Sequence, residues 1–443
     1  MKTQSATCLA LLTAITASAV EIPELEKPAW LTDLSLGLKE TYDDNVFASG
    51  VSPKYLPTAY VIPAGSVAAL EDVGSWVTTV SPKIGVNFAP LIGDQNVLPV
   101  LSLVYAPDFV IYHDQNSESY DAHRFLTAIK AGGENFKFAL NNTFTYVDGN
   151  PMAPVYPGAL FNANMNAAVR ERREQIQDTA TVRLEYDWHN YFIRPLASLT
   201  YYDMMTPLLD VEGYQNYVDR YDVNGGLDLG YQIRPDLAVT LGYRVGHQYQ
   251  ESLSFVPYDA SSDYQRVLVG IEGKPWHWLE VKILAGPDFR SYEGNNASSV
   301  VPVNDLNPVK YYGEALMVAT LTPKDSVTFK YKQWQWVSSI GKVPYYDSAF
   351  DLSYHRKLTD KLGCDLGGKI VSADYTEGNL ATCNRNDFVY SVSAGLGYAV
   401  NAHMNVNLAY TLELGRNGAN DVENEQVREY ERNLLTLGLL VKF

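Results

Sequence analysis

Charged side chains return at even spacing within the apolar runs of this 443-residue chain. Arg183 and Glu185 stand two apart, as do Glu280 and Lys282. In an extended strand residues i, i+2 and i+4 share a face. Such spacing gathers charge on one side and leaves apolar residues on the other. Parity assigns Lys39, Lys83, Lys137, Arg183, Glu185, Arg194, Asp222, Asp228, Arg244, Arg266, Glu280, Lys282, Lys330, Lys369 and Glu413 to the polar side. Two kinds of chemistry are open to them. Acidic and basic ladders on facing walls would set a transverse field that sorts solutes by charge, as charge rings do in pores. Interstrand salt bridges that hold strands in register would use the same residues. Phe192 and Tyr202 share this side, joined by Trp334 and Trp336 if a bulge turns them inward. Those rings would stack on sugars, although anchoring at an interface explains the tryptophans equally well.

Catalytic patterns do not emerge. The chain has no nucleotide loop, zinc-binding helix, paired-Cys spacing or nucleophile elbow. Its seven histidines are scattered. His113-Asp114 reads as a loop pair rather than a catalytic dyad, and His247 lies near a strand end. An enzyme is not expected, and neither cofactor nor metal is implied. A net charge of −17 argues against nucleic acid as a partner. The acid collects in loop-like stretches such as 421–431, to be solvated or bridged by divalent cations. Cys364 and Cys383 fall at opposite ends of a strand and the loop beyond it. About a dozen residues at roughly 3.3 Å each separate them, beyond the reach of a disulfide, which needs Cα atoms within about 7 Å.

The elements that must carry these side chains are strands. Apolar residues alternate with polar ones from Leu34 to the end. Met404, Val406, Leu408, Tyr410 and Leu412 oppose Asn405, Asn407, Ala409, Thr411 and Glu413. Nine long polar segments alternate strictly with eight short reversals rich in Gly, Pro, Asn and Asp. One short end and one long end is the pattern of a transmembrane antiparallel up-and-down β-barrel, with periplasmic turns and extracellular loops, here of about 18 strands. The weak stretches are 97–112, interrupted by Pro99 and Pro107, and 311–321; sixteen strands follow if one hairpin is not built. In 327–337 the apolar face switches from Val327, Phe329 and Tyr331 to Trp334 and Trp336, which predicts a bulge.

Both ends of the chain agree with this class. Lys2, the apolar run 8–15 and Ala17-Ser18-Ala19 read as a secretory signal cleaved after residue 19. Residues 20–33 would then be a short periplasmic segment and 34–443 the barrel. The last residues, 434–443, alternate into a terminal Phe443 and resemble the closing strand of bacterial outer-membrane barrels. Aromatics gather at both expected strand ends. Phe88, Trp188, Tyr231, Trp276, Trp278 and Tyr398 lie near short turns, and Tyr42, Tyr146, Tyr201, Tyr249, Tyr346 and Tyr375 near long loops. Two such girdles suit the two membrane interfaces.

The end of the first strand reads Tyr42-Asp43-Asp44-Asn45-Val46-Phe47. It resembles the start of the second β-barrel porin family, whose members often accompany exopolysaccharide systems. The resemblance implies a porin-type barrel in the Gram-negative outer membrane and leaves the substrate open. Asp43, Asp44 and Asn45 would cap the strand, turn the loop or hold a cation. The expected function is passive diffusion of small hydrophilic solutes, saccharides among them. A component of surface-polysaccharide export and a plugged adhesive barrel are the alternatives. Expected partners are outer-membrane lipid, the barrel-assembly machinery through the C-terminal strand, the solute, and further copies in a homo-oligomer. Segments 47–74 and 149–172 are the longest, and the first is apolar enough to fold inward and narrow the lumen.

Overall fold

A computed structural model of the chain describes residues 28–46, 48, 73–149, 172–207, 209, 217–254, 260–292, 307–337, 344–374, 386–417 and 430–443. Nearly all of them are strand. In order they are β1 (Leu31–Asp43), β2 (Ser75–Asn87), β3 (Val100–Tyr105), β4 (Asp108–Tyr112), β5 (Tyr120–Gly132), β6 (Phe136–Asp148), β7 (Gln175–Trp188), β8 (Tyr191–Asp203), β9 (Arg220–Arg234) and β10 (Leu237–Gln250). They continue with β11 (Ser262–Trp276), β12 (Leu279–Tyr292), β13 (Val309–Thr322), β14 (Asp325–Trp336), β15 (Tyr345–Lys357), β16 (Leu362–Asp374), β17 (Asn386–Ala399), β18 (Met404–Asn417) and β19 (Tyr430–Lys442).

Apart from β3 and β4, which do not pair with each other, each strand pairs antiparallel with its chain neighbours, and β19 returns to β1, closing the sheet. The halves β3 and β4 both sit between β2 and β5. Val100 faces Lys130 and Asp108 faces Ala122, so one register runs through both halves. They form a single spanning strand broken at Ala106-Pro107, where proline has no N–H to give to the ladder. The barrel therefore has 18 spanning strands. The weak stretch 311–321 lies within a full strand, β13, so the sixteen-strand alternative does not apply.

Short connections collect at one end of the barrel with both termini, and long ones at the other. One reversal departs from expectation. The turn near Gly93-Asp94 extends over 88–99 and contains a one-turn helix, α1 (Ala89–Ile92). Strand β1 opens at Leu31, ahead of residue 34. The signal-like segment lies outside the described residues. Cys364 is a free thiol at the short-turn end of β16, and Cys383 lies outside the described residues.

The two faces of the sheet invert the order of a soluble protein. Leu241 is 54% exposed and Val269 64%, while Arg194 on the opposite face is 4% exposed. Apolar exposure outside and charge burial inside make sense only with hydrocarbon against the outer face. Trp188, Tyr231, Trp276, Tyr398 and Phe88 are exposed toward the short-turn end, and Tyr42 and Tyr249 toward the other. Tyr146 is half-buried there, and Tyr375 lies outside the described residues.

No bulge forms in β14. Its register with β15 is unbroken from Asp325 opposite Arg356 to Trp336 opposite Tyr345. Trp334 and Trp336 face inward on the same parity as Lys330 and Lys332. The inward face itself becomes aromatic, which imitates a register shift in the sequence. Real shifts fall elsewhere, one of them just beyond Gly273 in β11. Gly273 has φ +119°, and a Cβ there would sit 2.0 Å from the Asp236 carbonyl oxygen. Only glycine adopts that backbone without strain.

Candidate functional site: the inner wall of the barrel

Arg194, on the inward face of β8, organises the largest charge cluster. Its Nε donates to Glu185 Oε2 at 2.7 Å and its Nη1 to Glu272 Oε2 at 3.0 Å; Asp228 Oδ2 lies 3.7 Å away. Glu272 belongs to β11, three strands around the wall from β8, so this bond crosses the interior. Glu185 is saturated: Lys137 donates to Oε1 at 2.9 Å, and Arg183 joins Arg194 on Oε2 at 2.7 Å. Arg244 donates to Asp228 at 2.7 Å. Charges this dry persist because every carboxylate has a cation, and charge-assisted bonds are the strong ones.

Phe192 is inward, but its ring is taken. The Arg194 guanidinium lies 4.4 Å from its centre. The ring also lies against Gly230, where an added Cβ would come within 1.9 Å of it. The expected sugar-stacking face is therefore covered. A second layer follows toward the long loops. Arg266 and Arg290 both donate to Asp288 Oδ2, at 2.8 and 3.1 Å. Arg266 lies 4.0 Å from the Tyr264 ring and 4.4 Å from that of Tyr312. Tyr264 and Gln248 each donate to Asp222 at 2.8 Å. At the mouth Arg220 donates to the Val337 carbonyl at 2.8 Å and lies over the rings of Tyr202 and Trp336. Trp336 packs with Tyr292, Tyr345, Val337, Ala260 and Ala373, and Trp334 and Tyr202 flank them.

The remaining predicted charges do not join this wall. Lys330, Lys369, Lys282, Glu280 and Lys39 face inward yet are exposed. Lys83 pairs with Asp33 at 2.5 Å, and Glu413 accepts the Tyr430 hydroxyl at 2.5 Å. Lys332, also inward and exposed, carries its ammonium 4.5 Å from the Trp334 ring. Asp288, Arg290, Glu272, Arg220 and Lys332 were missed by the reading of the sequence. Arg290 and Arg220 fell just outside strands drawn one residue short. Parity alone would have found the other three.

Asp43, Asp44 and Asn45 close the seam between β1 and β19. Both oxygens of Asp43 accept from Arg432, at 3.0 and 2.6 Å, and both partners are buried. Asp44 accepts from the backbone and side-chain amides of Asn433, at 2.6 and 2.7 Å. Asn45 donates to the Glu431 carbonyl at 2.9 Å. Asp43 also accepts from the Asn45 backbone amide at 3.1 Å, the expected turn, and the motif adds a latch across the seam. Among the described residues no group of three or more His, Cys, Asp or Glu side chains forms a metal site.

No family model matches the chain, and no curated protein matches it. It is similar to several solved structures. One is OccK2 (OpdF) of Pseudomonas aeruginosa in complex with glucuronate, at 11% identity and TM-score 0.43, covering 93% of this chain and 98% of that one. Another is Pseudomonas aeruginosa OpdK with vanillate, at 8% identity and TM-score 0.45, covering 93% and 98%. A third is the ferric enterobactin receptor PfeA in complex with BCV-L6, at 8% identity and TM-score 0.42, covering 93% of this chain and 82% of that one. With 18 antiparallel strands closed on themselves, apolar outside and charged within, the chain is a β-barrel of the bacterial outer membrane.

Proposed function

We propose that the barrel is a porin-type channel for passive diffusion of small hydrophilic solutes, saccharides among them. The observation that carries this reading is the asymmetry of the lumen. The inward charges around Arg194, Arg266 and Asp288 on β8 to β12 are buried, whereas Glu280 and Lys282 at the short-turn end of β12 and Lys330, Asp365 and Lys369 on β14 and β16 face inward and remain exposed. An inward side chain is exposed only where the interior holds water. A barrel of this strand number is wide enough to leave an aqueous channel beside a thickened wall.

Segments 47–74 and 149–172 narrow the path in this reading. They lie outside the described residues except at their ends, and those ends support it. Val46 is fully buried and packs with Val77, Val110, Tyr112, Val73 and Tyr120. Arg172 donates to the Val46 carbonyl at 2.8 Å and pairs with buried Glu118 at 2.8 Å. The same dry mouth favours the second reading, a plugged barrel that acts through its long loops or awaits an export partner. Single-channel conductance of the refolded mature barrel separates them. Steady ohmic openings, enlarged by deleting 49–72, support the channel. A folded but silent barrel refutes it and supports the plug.

A further inference from the structure

The enlarged turn at residues 88–99 has a counterpart inside the barrel. Asn96 and Pro99 of that turn border a cavity of about 410 Å³, whose other walls include inward Lys130, Lys137, Arg183 and Glu185. The Gly132 amide donates to the Val97 carbonyl at 2.8 Å and ties the turn to β5 beside the cavity. The cavity lies at the short-turn end of the lumen, the end that faces the periplasm in outer-membrane barrels.

Its one lining carboxylate, Glu185, is fully used, and one of its cations, Lys130, is not. Glu185 spends both oxygens on Lys137, Arg183 and Arg194. Lys137 also holds Asp187, at 2.7 Å. Arg183 gives one nitrogen to Glu185 and is 42% exposed at its side chain. Lys130 is exposed, and its ammonium meets no hydrogen-bond or ion-pair partner among the described residues. The Lys130 ammonium and the exposed part of the Arg183 guanidinium are donors left over, and such donors attract an anion. Pro99 and Ala139 add apolar surface to the lining for a carbon skeleton. A volume of this size falls at the lower end of small-ligand sites, roughly 300–1,000 Å³.

We infer that this cavity is a binding site for a small organic anion at the exit of the channel. The inference rests on the channel reading for its role in transport but not for binding itself. The test is calorimetric titration of the refolded, detergent-solubilised barrel with gluconate and with sorbitol, its uncharged counterpart. Gluconate should bind and sorbitol should not. Lys130→Gln should weaken gluconate about tenfold, as loss of one charge-assisted hydrogen bond does, and Lys130→Arg should retain it. Gluconate should also slow acetylation of Lys130 in the wild-type barrel, read by mass spectrometry, so the test survives a variant that does not fold. Equal heats for the two ligands, a Lys130→Gln affinity within about twofold of wild type, or unprotected Lys130 overturns the site. Conductance distinguishes the two readings: a silent barrel that binds gluconate keeps the site and loses the channel, and a conducting barrel that ignores it does the reverse.

Discussion

Arg194 draws carboxylates from β7, β9 and β11 onto one guanidinium, and its neighbours have adapted to it. Removing it leaves Glu185, Glu272 and Asp228 crowded in a dry wall. Arg194→Leu should cost about 3–5 kcal/mol, read by urea unfolding of the barrel in vesicles; a loss within about 1 kcal/mol would mean the wall is wetter than its burial implies. Gly230 is the quieter counterpart. Gly230→Ala must displace the Phe192 ring, at roughly 1–3 kcal/mol, and Phe192→Ala in the same chain should cancel part of that cost. At the long-loop rim burial lifts the Asp219 carboxyl above the usual aspartate range. The Met204 amide opposes this, and Asp203 and Glu251 add repulsion that reinforces it. A group that holds its proton more tightly when folded stabilises the fold below its ordinary value, and that contribution fades as pH rises through the raised one. The thermal stability of Asp219→Asn relative to wild type should therefore be more favourable at pH 7 than at pH 4. A difference independent of pH would show that the carboxyl is not strained. None of these relations was legible beforehand. Phe192 could be placed on the inner face by counting, but not under an arginine.

Strands were the legible elements, because alternation with a period of two is a local property that a closed barrel imposes on every one of them. Misreadings arose where residue type and face part company. In β14 the lumen row Lys330, Lys332, Trp334 and Trp336 turns aromatic, and an assumption that apolar means outward reads this as a bulge. The seam is the opposite case, a short polar motif whose meaning depends on residues at the far end of the chain. Asp43 and Arg432 are 389 positions apart. Pairing between β1 and β19 runs from Ser35 opposite Lys442 to Asp43 opposite Leu434, so the ion pair sits at its long-loop end. Breaking it leaves a buried charge beside the only joint that the chain does not make by continuing. Arg432→Leu should lower the temperature at which the barrel loses its folded mobility in gel electrophoresis. Asp43→Ala with Arg432→Leu should cost less than the two losses added. Strict additivity would mean the pair is not a latch.

For the whole molecule, the decisive property is that the inner surface is not uniform. The chain carries a net charge of −17, yet its inner face is rich in Lys and Arg held against acids. On the β8–β12 side those ions and their aromatic neighbours are packed like a core above the exposed Glu280 and Lys282, so the wall is effectively thicker there and any water path at that depth is displaced toward β14–β18. This geometry predicts a two-sided lumen. Thr240 on β10 is inward and 7% exposed, and Lys369 on β16 is inward and exposed. In a background with Cys364 and Cys383 replaced by serine, Lys369→Cys should react quickly with a charged thiosulfonate and change the single-channel current. Thr240→Cys should resist the reagent until urea opens the wall. Equal reaction at both positions would mean the packed side is not closed to water. Protection at both would mean the lumen is dry throughout, and the channel would have to give way to the plug.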